Sequence, residues 1–199
     1  MHSIIRDFIL ALVIALCAPF ASATVLTFDD IVGPDGFASV PGNYGGLEWS
    51  SSGFSVFTSE QAPFTAHSGQ GRVTTDWTDG GPIASTIRFL APTIFQGAWF
   101  SGYSDSSVRF DLYFAGKLVA TTASLQLSDT PAFLNASWGG AIDAVVVSSG
   151  FQASYVMDDM SFVSAAPVPE PGTLAQLLAG LALAGSILLR RSKGHAVLR

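Results

Sequence analysis

Between Thr24 and about Val163 the chain never sustains a helical period, and this limits the fold more than any other feature. Apolar residues recur instead in short runs, many alternating with polar ones, and Gly, Pro, Asp, Asn or Ser stands between the runs. Val25-Leu26-Thr27-Phe28 precedes Asp29-Asp30, and Leu47-Glu48-Trp49 follows Gly45-Gly46. Residues 54–57 and 86–89 alternate, the second run stopping before Pro92, and Ala98-Trp99-Phe100 ends at Gly102. Residues 108–114 alternate and turn at Ala115-Gly116, and Leu118-Val119-Ala120 returns as the second arm of a hairpin. Residues 142–147 form an apolar run interrupted only by Asp143, and residues 153–157 and 160–163 close the region. Roughly eight to eleven short strands without helices predict an all-β domain, an antiparallel β-sandwich or jelly roll.

The two ends read differently. Arg6 precedes ten uninterrupted apolar residues, 8–17, and Pro19 then breaks the segment. Ala21-Ser22-Ala23 supplies the small residues that a signal peptidase needs before its cleavage site. Residues 1–23 are therefore expected to be a signal peptide, cut between Ala23 and Thr24. The run is too short to span a bilayer comfortably. Leu16 before Cys17 does not suit a lipoprotein signal, which needs a small residue there. At the other end, Val168-Pro169-Glu170-Pro171-Gly172 precedes an apolar stretch over 174–189, then Arg190, Arg191 and Lys193. As a helix that stretch is about 24 Å long, and a snorkelling Arg190 extends it toward the ~30 Å hydrocarbon core. The basic end should stay cytoplasmic, which puts the middle of the chain outside. The expected division is a signal peptide over 1–23, a β-sandwich ectodomain over 24–164, and a linker plus tail over 165–199.

Pro169-Glu170-Pro171, an apolar helix and Arg190-Arg191, in that order, resemble the PEP-CTERM sorting signal. The resemblance covers about residues 168–193. It implies that an exosortase, a cysteine-protease-like membrane enzyme, recognises the tail and cuts near Pro-Glu-Pro. The protein would be anchored transiently in the inner membrane and then passed to the surface or the extracellular matrix. Two prolines hold a stiff extended segment that a protease cleft can read at low entropy cost. The extra residues 194–199 depart from the pattern without disturbing its order. The middle of the chain also resembles jelly-roll carbohydrate-binding modules through Thr27-Phe28-Asp29-Asp30, residues 44–49 and residues 155–162. Together the resemblances imply a structural or adhesive role in exopolysaccharide or biofilm. A module with a defined glycan ligand is the alternative, and a secreted hydrolase the weaker one.

Charge narrows the partners. Between residues 24 and 166 only Arg72, Arg88, Arg109 and Lys117 oppose thirteen carboxylates. So acidic a surface repels nucleic acid. Cys17, the one cysteine, falls in the predicted signal peptide, leaving the mature chain no disulfide, zinc site or thiol nucleophile. Asp29-Asp30 follows the first strand and Asp158-Asp159 lies in the last, and those strands can be neighbours in a jelly roll. Four gathered carboxylates would need a cation, so they are candidate ligands of a structural Ca2+. The alternative is that one Asp of each pair caps a turn while the other is solvated. Trp77, in a Gly-rich loop, and Trp138, before Gly139-Gly140, are the candidate glycan contacts, whereas Trp49 and Trp99 are expected in the core. His67 is the sole histidine between the ends, and no nucleophile-elbow pattern accompanies it. Nothing singles out a glycosidase pair among the acids, and the chain is read as a non-enzyme.

Overall fold

The computed structural model describes residues 23–49, 53–75, 83–151, 153–165 and 180. The chain divides into two units, Met1–Ala165 and Ala166–Arg199, and the strands all belong to the first. They are β1 (Ala23–Leu26), β2 (Phe37–Ser39), β3 (Asn43–Tyr44), β4 (Leu47–Glu48), β5 (Phe54–Phe57), β6 (Arg72–Thr75) and β7 (Ile83–Gly102). Next along the chain come β8 (Ser107–Phe114), β9 (Lys117–Thr121), β10 (Leu125–Gln126), β11 (Ala132–Asn135), β12 (Ile142–Ser149) and β13 (Tyr155–Ser164). They hydrogen-bond in the order β10-β8-β12-β7-β13-β6-β5-β2. Beside this path β1 joins β13, β4 and β11 join β7, β9 joins β8, and β3 joins β4. Every pairing is antiparallel. The all-β expectation therefore holds, and the first and last strands are neighbours, Ala23 opposite Val163 and Leu26 opposite Met160.

Pro92 does not end a strand as the pattern suggested. Residues 83–102 form one long β7 that changes partners at the proline. Before it, residues 83–88 pair with β12; after it, residues 93–102 pair with β13. The register on β12 shifts between Ile142 and Ala144, so residues 89–92 bulge there, and Pro92 needs no N–H to donate. Its carbonyl accepts from the amide of Ala165. The hairpin at Ala115-Gly116 forms as expected. Both residues have positive φ, 50° and 72°, the conformation that matches the right-handed twist of the flanking strands.

Alternation decides which side chains enter the core. Val108, Phe110 and Leu112 of β8 are buried, with Arg109, Asp111 and Tyr113 between them on the other face. Phe110 meets Phe95 and Phe100, with ring centroids 4.9 and 5.5 Å apart. Those two rings belong to the half of β7 that pairs with β13, not to a strand beside β8, so the contact runs through the core. Each buried ring contributes about 1.5–3 kcal/mol. Tyr155 is fully buried against Phe100, and its hydroxyl bonds to no described residue. Burial pushes its ionisation far above the ordinary tyrosine range. Removing an unsatisfied hydroxyl without changing the ring's shape relieves a desolvation cost. Tyr155→Phe should therefore stabilise the domain by about 1 kcal/mol. Thermal melts of the two proteins check this, and a lower melting temperature for the variant would contradict it.

Candidate functional site

Three of the four paired acids, Asp29, Asp158 and Asp159, meet around one loop, residues 58–71 between β5 and β6. Asp158 lies on the outward face of β13, 2% exposed, opposite Trp99 on β7. Strict alternation would turn the next residue inward. A bulge prevents this: the β13–β7 register shifts between Asp158 and Ser161, and Asp159 takes φ 44°. Both carboxylates thus stay on the outer face while Met160 returns to the core. The sequence pattern split this segment into two strands because the bulge breaks its alternation.

From that face the acids hold the loop. Asp158 Oδ2 accepts the amides of His67 and Ser68 at 2.7 and 2.9 Å, and its Oδ1 accepts the amide of Asp159 at 2.7 Å. Asp159 takes the His67 ring through Nδ1 at 2.5 Å and the Ser68 hydroxyl at 2.9 Å. On the other side Asp29 Oδ1 accepts the amides of Gln70 and Gly71, each at 2.7 Å. Asp30 accepts the Tyr44 hydroxyl at 2.6 Å. Burial raises the Asp158 carboxyl to about 6, outweighing the three amides that favour its anion. Gly69 and Gly71 have no room for a side chain. A Cβ on Gly69 would strike the Asp29 carboxylate, and one on Gly71 would lie 2.5 Å from the Phe28 carbonyl oxygen.

Asp29 and Asp158 therefore hold backbone amides of one loop, Asp159 holds two of its side chains, and Asp30 bonds to Tyr44 outside it. Among the described residues no group of three or more His, Cys, Asp or Glu could hold a metal ion. Asp29 and Asp158 accept backbone amides far away in sequence, Asp158 also accepts the amide of the adjacent Asp159, and Asp159 is itself bonded to His67 and Ser68. The hydroxyl of Ser68, beside His67 in the chain, bonds to Asp159 and not to the imidazole. The ring of His67 stacks on Trp99 at 3.6 Å and 11°. Trp99, expected in the core, instead lies half-buried on the outer face, covered by that imidazole.

Arg72 completes the anchoring from beneath, and its place in the sequence pointed to no role. It opens β6 and is 2% exposed. Its guanidinium donates to the carbonyls of Phe64 at 2.5 Å, Ser59 at 2.6 Å, Gln70 at 2.9 Å and Phe57 at 3.4 Å. It also sits over the Phe57 ring, 4.2 Å from the centroid. Burial lowers its proton affinity, partly offset by Asp158 and Glu60.

A second feature lies beyond Trp99 on the same outward face. Phe133 of β11 packs beside Trp99 with centroids 5.6 Å apart. Past it, Trp138 is 37% exposed beside a shallow depression of about 400 Å³. Of the two predicted glycan contacts, Trp138 is thus a surface ring and Trp77 lies outside the described residues; Trp49, expected in the core, is there. Ala21, Pro169, Glu170, Pro171, Arg190 and Arg191 also lie outside them, as does nearly all of the apolar stretch 174–189. Ala23 and Thr24, at the predicted cleavage point, open β1 opposite Val163 and Phe162. Among the described residues no helix is long and apolar enough to cross a membrane.

No curated protein matches the chain. A protein-family model does: residues 167–192 match the PEP-CTERM protein-sorting motif. That span holds Pro169-Glu170-Pro171, the apolar stretch and Arg190-Arg191, and it begins three residues after β13 ends. The motif implies export and sorting by an exosortase toward the cell surface, and the chain is accordingly a PEP-CTERM domain-containing protein whose sorting motif follows an all-β domain.

Proposed function

We propose that this β domain is a non-catalytic display module of the bacterial surface or extracellular matrix, with a structural or adhesive role. A signal peptide over 1–23 starts its export and signal peptidase removes it before Thr24. The stretch 174–189 then holds the chain in the inner membrane, with Arg190, Arg191 and Lys193 inside. Exosortase cuts near Pro169-Glu170-Pro171 and releases the domain outward. The observation that carries this reading is the sorting motif at 167–192 directly behind a β domain. The core contact between β8 and the distal half of β7 supports a jelly-roll-like sandwich. The anchored loop 58–71 supports a rigid display scaffold, because its polar groups are spent on holding backbone in place.

Intact mass of the protein recovered outside the cell, from hosts with and without exosortase, tests the reading. A species beginning at Thr24 and ending near Pro-Glu-Pro only when exosortase is present is the expected result. A mass that retains residues 174–199 in both hosts would make the tail a permanent anchor and remove the main support for matrix delivery.

A further inference from the structure

Trp138 is held in place, not merely exposed. Its indole lies against Gly140, where a Cβ would come within 2.8 Å of Nε1 and 2.9 Å of Cε2 and Cζ2. Only a glycine lets the ring rest on the backbone there. The approach to the ring is fixed too. Ser137 takes φ 53°, and its amide donates to Asn135 Oδ1 at 2.6 Å. The amide of Ala136 donates to the Gln96 carbonyl at 2.9 Å, tying this turn to β7. A large ring supported from one side and open on the other is preorganised for stacking.

The depression beside it is lined by Ile94, Phe95, Gln96, Phe133, Asn135, Trp138 and Ser161. None of these side chains is charged. Two are carboxamides with spare capacity. Asn135 uses its oxygen on Ser137, and its Nδ2 meets no acceptor among the described residues. The exposed Gln96 side chain likewise bonds to nothing among them. An amide offers both donors and acceptors, the set that pairs with a hydroxyl. Flat rings beside unpaired amides, without a charge, match a ring with an apolar C–H face and a hydroxylated rim. The acidic domain around them opposes an anionic ligand.

We infer that the surface formed by Trp138, Phe133, Gln96 and Asn135 is a binding subsite for an uncharged pyranose unit of a neutral polysaccharide. The sugar's C–H face stacks on Trp138 and its hydroxyls pair with the two carboxamides. This names a ligand class for the display module proposed above and rests on that reading for its setting. The subsite itself is independent of how the tail is processed.

Native affinity electrophoresis of the exported protein tests it, in gels containing galactomannan, xyloglucan or hydroxyethyl cellulose, with polygalacturonate as the anionic comparison. Retardation by at least one neutral polymer is expected. Trp138→Ala should weaken it about tenfold or more, and Gln96→Ala by roughly three- to tenfold. Both side chains are exposed, and near-UV circular dichroism confirms that each variant keeps its core. Should Trp138→Ala lose its fold, Gln96→Ala alone carries the test. Three outcomes overturn the subsite: no retardation by any of the three neutral polymers, retardation only by polygalacturonate, or retardation untouched by the variants. If the mass experiment shows tail cleavage while no neutral polymer binds, the sorting reading stands and only the subsite falls.

Discussion

Replacing Arg72 with Met should lower the unfolding free energy by about 3–4 kcal/mol, a large fraction of a domain's margin. The side chain donates to four carbonyls from Phe57, Ser59, Phe64 and Gln70, all in or beside one loop. A methionine has similar length and fills the space over Phe57, so the loss isolates the hydrogen bonds from the packing. The carbonyls left behind lie under the loop, and each one that finds no other donor costs about 1–3 kcal/mol. Arg72→Lys should recover less than half of the loss, because a single ammonium cannot span the positions a planar guanidinium reaches. Urea unfolding of the three proteins reads this directly. A Met variant within about 1 kcal/mol of the parent would mean that the loop stands without its guanidinium.

The other large effect is expected at Gly97. This residue has φ 141°, a region that side chains rarely enter, and it faces β11 across the ladder opposite Asn135. A Cβ there would drive into the Leu134 carbonyl oxygen and lie 2.8 Å from Phe133 Cζ. The obstacle is largely backbone, so no rotamer change clears it. Gly97→Ala should cost about 3 kcal/mol or more by forcing β11 off β7. Gly116→Ala is the informative contrast. It also has positive φ, 72°, but nothing within 4 Å, so only the conformational cost of about 1–2 kcal/mol applies. Equal losses at the two glycines would show that φ alone matters and that the close approach of β11 does not. Gly97→Ala should also reduce neutral-polysaccharide binding, since β11 carries Phe133 and Asn135.

Sequence alone determined the all-β class of the domain and the presence of a sorting motif behind it. Period-two alternation in β8, the Ala115-Gly116 turn and the apolar run in β12 are local signals, carried by residues a few positions apart. The sorting motif is legible for the same reason, as a linear order of proline, apolar and basic elements within 167–192. Tertiary structure decided what the acids do. Asp158 and Asp159 bond to His67 and Ser68, about ninety positions away, and only the sheet order brings them together. Asp29 reaches Gln70 and Gly71 across more than forty residues. A carboxylate's partner depends on which backbone amides the fold leaves within reach, and no spacing in the sequence encodes that. Arg72 was missed on the same account: a cation is ordinarily a surface residue, and this one is buried because a loop presenting three carbonyls closes over it, with a fourth at the end of β5. Trp138 lay between the two cases. The glycines after it marked a turn, but only the close seating of its ring on Gly140 turned an exposed indole into a fixed platform.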